Sequence, residues 1–119
     1  LKIARARIET RGEKLLLNFR MVNQTPDEKL LTGFFFILMK SQNGLFLYPK
    51  RTFHEKSFQI PFTRGESFAT QRFRPVENIS FPKPKQINNF LFKVVVFSRS
   101  GDLLIKKILS FDKRDLSNE

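Results

Sequence analysis

The sequence predicts an all-β fold: an antiparallel β-sandwich of about seven or eight strands around one core. Three observations carry this. Turn signals recur every ten or so residues, and the segments between them are rich in Phe, Val, Ile and Leu. In the clearest of them, Leu15, Leu17, Phe19 and Met21 alternate with Leu16, Asn18, Arg20 and Val22, the period of two of a strand. A closed barrel of the oligonucleotide-binding type is the alternative arrangement of the same strands.

The elements follow in order. Lys2 to Thr10 reads as a strand with Ala4, Ala6 and Ile8 on one face and Arg5, Arg7 and Glu9 on the other. Arg11-Gly12-Glu13 turns it into the Leu15–Val22 strand, giving a hairpin. Residues 23–29 break the pattern. Thr25, with Pro26 next and Glu28 three residues on, reads as a helix start. Thr32-Gly33 follows so soon that one helical turn is all that fits. Gly33 to Lys40 is apolar on both faces, and Ser41-Gln42-Asn43-Gly44 then reverses the chain. Asn43-Gly44 is a strong hairpin signal because both residue types tolerate positive φ. Leu45 to Tyr48 returns as a strand that Pro49 ends.

Residues 50–65 hold no period, with Phe53, Phe58 and Phe62 scattered among charges, and read as a long loop or a ragged edge strand. Phe68–Arg74 and Val76–Phe81 read as one strand broken near Pro75, and Pro82 and Pro84 bar a central strand beyond it. Phe90–Ser98 is the strongest strand; Arg99–Asp102 turns it, and Leu103–Phe111 completes a second hairpin. The expected organisation is a single domain over residues 1–112 and a polar tail over 113–119. Because the chain opens on Leu1, it is expected to be cut from a longer protein.

Composition narrows the chemistry. The 119 residues hold no Cys and one His, so disulfides, thiolate nucleophiles and Cys-ligated zinc are excluded. His54 has Glu55 beside it, but adjacent side chains on an extended chain point apart, and no orienting partner for a catalytic base results. The acids Asp27-Glu28, Glu66, Glu77 and Asp102 sit by turns, without the Asp-x-Asp spacing of a calcium loop. No catalytic residue, metal ligand, cofactor or small-molecule substrate is therefore expected. No apolar run approaches the roughly 20 residues of a membrane-spanning helix. Fifteen Phe beside one Tyr and no Trp point to packing before recognition.

The stretch Leu17-Asn18-Phe19-Arg20-Met21-Val22-Asn23-Gln24-Thr25 resembles the second strand of bacterial extracytoplasmic immunoglobulin-like or fibronectin-like modules, where an alternating strand ends in Asn before a loop. Residues 90–111 resemble the final hairpin of such modules. The resemblance implies an immunoglobulin-like sandwich. It also implies a binding or scaffolding role, and a location in the cell envelope or periplasm. The Cys–Trp–Cys signature of antibody domains is missing.

Two candidate binding features remain. The first is apolar excess on both faces of residues 33–39 and 90–97, where a sheet with one wet face should alternate. Lys93 marks the outward face of the later strand, which puts Leu91, Val95 and Phe97 outward with it. Their neighbours are either Phe35, Ile37 and Met39 or Phe34, Phe36 and Leu38, the first set being the one assigned to the partner-binding face. Such a patch of several hundred Å² is one that monomers seldom leave bare. A protein partner, a second copy of the chain, or residues 50–65 folding back are its expected covers.

The second feature is charge. With 22 Lys and Arg against 11 Asp and Glu, the net charge is +11, concentrated in residues 1–24 (+4) and 50–85 (+5). Lys50, Arg51, Arg64, Arg72 and Arg74 would form a polyanion-binding row for nucleic acid, an anionic membrane or an acidic glycan. There Arg72 and Arg74 share one strand face, and Phe73 points inward.

Overall fold

The computed structural model describes residues 1–27, 29–42, 44–50, 61–85 and 90–111 and the backbone of 116–117. Two sheets face each other. The first is antiparallel, with β2 (Lys14–Val22) between β6 (Phe73–Pro82) and β1 (Lys2–Arg11). A two-residue strand, β9 (Leu116–Ser117), adds to β1 in parallel. The second sheet runs β4 (Gly44–Tyr48), β3 (Leu31–Ser41), β7 (Phe90–Ser98), β8 (Leu103–Ser110). One edge of β3 is shared, since β4 pairs with residues 37–41 and β5 (Glu66–Thr70) with residues 31–35. Among the described residues no strand pairing joins the two sheets. The fold is thus an open β-sandwich and not a closed barrel.

Sequence dictates the core through period-two burial. Leu15, Leu17, Phe19 and Met21 of β2 are buried and meet Phe35, Ile37 and Met39 of β3 and Phe92, Val94 and Val96 of β7. Edge-on ring pairs span the layers, Phe19 against Phe35 at 6.4 Å and Phe81 against Phe92 at 5.2 Å between centroids.

The outward assignment of Phe35, Ile37 and Met39 is thereby overturned: all three are 0% exposed. The register explains why. Directly opposed residues in an antiparallel pair point to the same face, and Phe34 opposes Phe97, Phe36 opposes Val95 and Leu38 opposes Lys93. The second set of neighbours is the outward one.

Three local expectations are also corrected. Thr25 starts no helical turn among the described residues. Its N–H and hydroxyl both donate to Asn23 Oδ1, at 3.0 and 2.8 Å, while Asn23 Nδ2 donates to the carbonyls of Lys29 and Thr70. The loop is organised by that asparagine. Secondly, the break in residues 68–81 falls at Gln71-Arg72, where the chain changes sheets, and Pro75 sits inside β6 opposite Arg20. Proline is tolerated there because β6 is an edge strand. Thirdly, the faces of β1 do not alternate throughout, because its register with β2 shifts between Ala4 and Arg7. Ile3 and Ile8, an odd number of residues apart, both reach the core, and Ala4 does not.

Candidate binding faces

The outer face of the second sheet is built from residues opposite one another in register. β3 supplies Phe34, Phe36 and Leu38; β7 supplies Leu91, Lys93, Val95 and Phe97; Lys106 and Ile108 continue it on β8, and Leu45 and Leu47 on β4. One end is closed by the chain itself. Phe62, from a short 3-10 turn at Phe62–Arg64, lays its ring 6.0 Å from Phe34 and 6.2 Å from Phe97, and Phe97 meets Phe36 at 6.2 Å. The Arg99 guanidinium lies 5.8 Å from the Phe34 ring centre. Phe53 and Phe58, the other expected cover, lie outside the described residues.

Beyond Phe62, no ring contact from the described residues covers the face. Leu38, Leu47, Leu91 and Val95 are half-buried, while Leu45 and Ile108 are 64% and 55% exposed. Two lysines interrupt this apolar field. Lys106, close enough to share a hydrogen bond, pulls the Lys93 ammonium below its ordinary pKa. Two cations side by side among aliphatic side chains favour an incoming carboxylate.

Of the basic row expected from the sequence, the described residues include Lys50, Arg64, Arg72 and Arg74. Arg51 lies outside the described residues, as do His54 and Glu55. Lys50 follows β4 and is exposed, Arg64 is in the 3-10 turn and Arg72 at the sheet crossover. Arg74 is committed to structure: its Nη2 donates to Glu66 Oε2 at 2.9 Å, and its guanidinium lies 5.4 Å from the Phe35 ring centre. Phe73, expected inward, is 51% exposed with Arg20 stacked 4.6 Å above it, because Phe73 opposes Val22 at the outer edge of β6.

Glu66 also accepts a hydrogen bond from the Tyr48 hydroxyl. Tyr48, Glu66 and Arg74 thus clasp β4 and β5 to β6 of the opposite sheet. Burial first, then the bond to the Glu66 carboxylate, push the Tyr48 phenol up to about 12 from its ordinary 10.0. Since the folded value is the higher one, the contribution to stability is complete below pH 10.0 and is lost as pH rises through about 12. Tyr48 is the only tyrosine and there is no Trp, so phenolate absorbance reads it directly. The expected midpoint is about 12, and Glu66→Gln should lower it part of the way, burial being the larger cause. An unchanged midpoint in that variant would contradict the clasp.

A further feature had not been marked by any motif. β1 and β6 both bulge where they flank the same stretch of β2, with positive φ at Arg5 (53°) and Asn78 (56°). Between the bulges lies a cavity of about 280 Å³ on the outer face of the first sheet. It is lined by Arg5, Arg7, Asn18, Arg20 and Glu77, together with Phe19 and Pro75. Asn18 is 4% exposed; its Oδ1 accepts the Asn78 backbone N–H at 3.0 Å, which fixes the amide and leaves Nδ2 without an acceptor. A buried donor left unmade costs about 1–3 kcal/mol. The signal in the sequence was the odd spacing of inward apolar residues, Ile3 to Ile8 and Val76 to Ile79.

Among the described residues no group of three or more His, Asp or Glu could hold a metal ion, and no helix is long and apolar enough to cross a membrane. Comparison with protein-family models, known proteins and solved structures finds no match to this chain.

Proposed function

We propose that this chain is a non-enzymatic binding module that docks a protein partner through the outer face of its second sheet. One observation carries the reading: the register of β3, β7 and β8 gathers Leu38, Leu91, Val95 and Ile108 on a single face, which among the described residues Phe62 covers at one end. The paired Lys93 and Lys106 favour a partner surface of apolar side chains with carboxylates among them. A second copy of the chain would bring those lysines towards its own, so a different, more acidic protein fits better than a homodimer.

An immunoglobulin-like identity is part of the same reading. The strand orders β6-β2-β1 and β4-β3-β7-β8 support it, being those of a sandwich whose second sheet carries an added edge strand. β5 departs from that plan by pairing with β3. The resemblance of residues 17–25 and 90–111 to extracytoplasmic modules supports a place in the cell envelope.

The test uses Ile108→Asp, a change at a position exposed enough to leave the fold intact. Sedimentation of the native chain in extract of its own cells should show a complex that this variant no longer forms. A homodimer lost in the variant would identify the second copy as the occupant. A chain sedimenting as a bare monomer, alone and in extract, would overturn the proposal.

A further inference from the structure

We propose that the cavity between the two bulges binds a phosphate group in its singly protonated form. Three arginines, Arg5, Arg7 and Arg20, line it, Arg20 with its guanidinium also stacked on Phe73, and among the described lining residues Glu77 is the one carboxylate. Arg7 also lies 3.8 Å from Glu9, but at 66% side-chain exposure that pairing leaves it free to turn to a ligand. The Asn18 amide adds a neutral donor, nine-tenths buried and lacking an acceptor, on the same wall. Donors in excess over acceptors, one of them Arg5 on backbone held at positive φ, describe a site for an oxyanion.

Glu77 selects among oxyanions. A carboxylate repels any ligand that brings only acceptors, such as sulfate or a phosphodiester. A phosphate with one proton left donates that P–OH to Glu77 while its other oxygens accept from the arginines and Asn18. The second ionisation of a phosphate monoester lies near pH 6, so the protonated form is accessible at neutral pH. The ligand is then inorganic phosphate or a phosphomonoester on a larger molecule, and the cavity stands on the opposite outer face from the protein-docking surface, independent of it.

The experiment is an NMR titration of the whole chain, following the Asn18 side-chain amide, with inorganic phosphate, glycerol phosphate, dimethyl phosphate and sulfate as probes. Phosphate should shift that signal saturably and bind about tenfold more tightly than sulfate or the diester, with Arg5→Gln and Arg20→Gln each weakening it about tenfold. Glu77→Gln, at an exposed position, should bring sulfate and phosphate to comparable affinity. Glycerol phosphate binding more tightly than inorganic phosphate would name a monoester as the ligand, and the reverse the free ion. Equal binding of sulfate and phosphate by the native chain, or an Asn18 signal unmoved at tens of millimolar phosphate, would overturn the proposal.

Discussion

Phe35→Ala is expected to destabilise the protein by about 4 kcal/mol, seen as a fall in the denaturation midpoint. Phe35 is fully buried, with ring centres of Phe19, Tyr48 and Phe68 each 6.4 Å away and the Arg74 guanidinium at 5.4 Å. Truncation would open a cavity that the strands cannot collapse into, because both neighbours of β3 are hydrogen-bonded along its length. It would also loosen the Tyr48–Glu66–Arg74 clasp, because Arg74 stacks on the Phe35 ring. Total stabilities of 5–15 kcal/mol are usual, so this one change removes a large share. Had Phe35 faced outward, the same substitution would fall within about 0.5 kcal/mol of the native chain. The measurement therefore decides the orientation of β3 as well as the strength of the core.

Gly33→Ala should be nearly as damaging, at about 3 kcal/mol, and for a different reason. A Cβ at residue 33 would stand 1.9 Å from the Phe97 carbonyl oxygen and 3.2 Å from the Phe68 ring. The first contact is with backbone, which no rotamer change relieves. Gly33 opposes both Ser98 of β7 and Phe68 of β5, so the only escape is to part three strands at once. The expected result is an early-melting variant whose loss is greatest in the pairing of β3 with β7, read by amide hydrogen exchange. Native-like stability and exchange would contradict the close approach.

How the fold was legible follows from these two strands. Apolar runs on β3 and β7 marked them as the centre of a sheet without revealing which side of β3 was which, since every residue from Phe34 to Met39 is apolar. Lys93 fixed the parity of β7. Lys40 carries the same information for β3, for it opposes Leu91 and stands in line with Leu38, Phe36 and Phe34. It was uninformative only because it sits at a strand end, where charge is ordinary. The bulges were hidden because a strict period of two has no place for an extra residue; burial of Ile3 with Ile8, and of Val76 with Ile79, restores it.

Charge was the least legible property. Lys50, Arg64, Arg72 and Arg74 are close in sequence, yet they fall after β4, in the 3-10 turn, at the sheet crossover and on β6, and Arg74 turns inward to Glu66. The cations that do converge, Arg5, Arg7 and Arg20, come from two strands of the first hairpin and meet only because β1 bulges. Clustering along the chain was a poor guide to clustering in space.

The most direct test places a photo-crosslinking residue at position 108, on the outer face of the second sheet, and another at position 80, exposed on the first. Irradiated in the native cell, position 108 should yield one discrete adduct, diminished by Val95→Asp, and position 80 should not share it. Identical adducts from both positions, or none from position 108, would mean that nothing docks where β3, β7 and β8 leave their aliphatic side chains open to water.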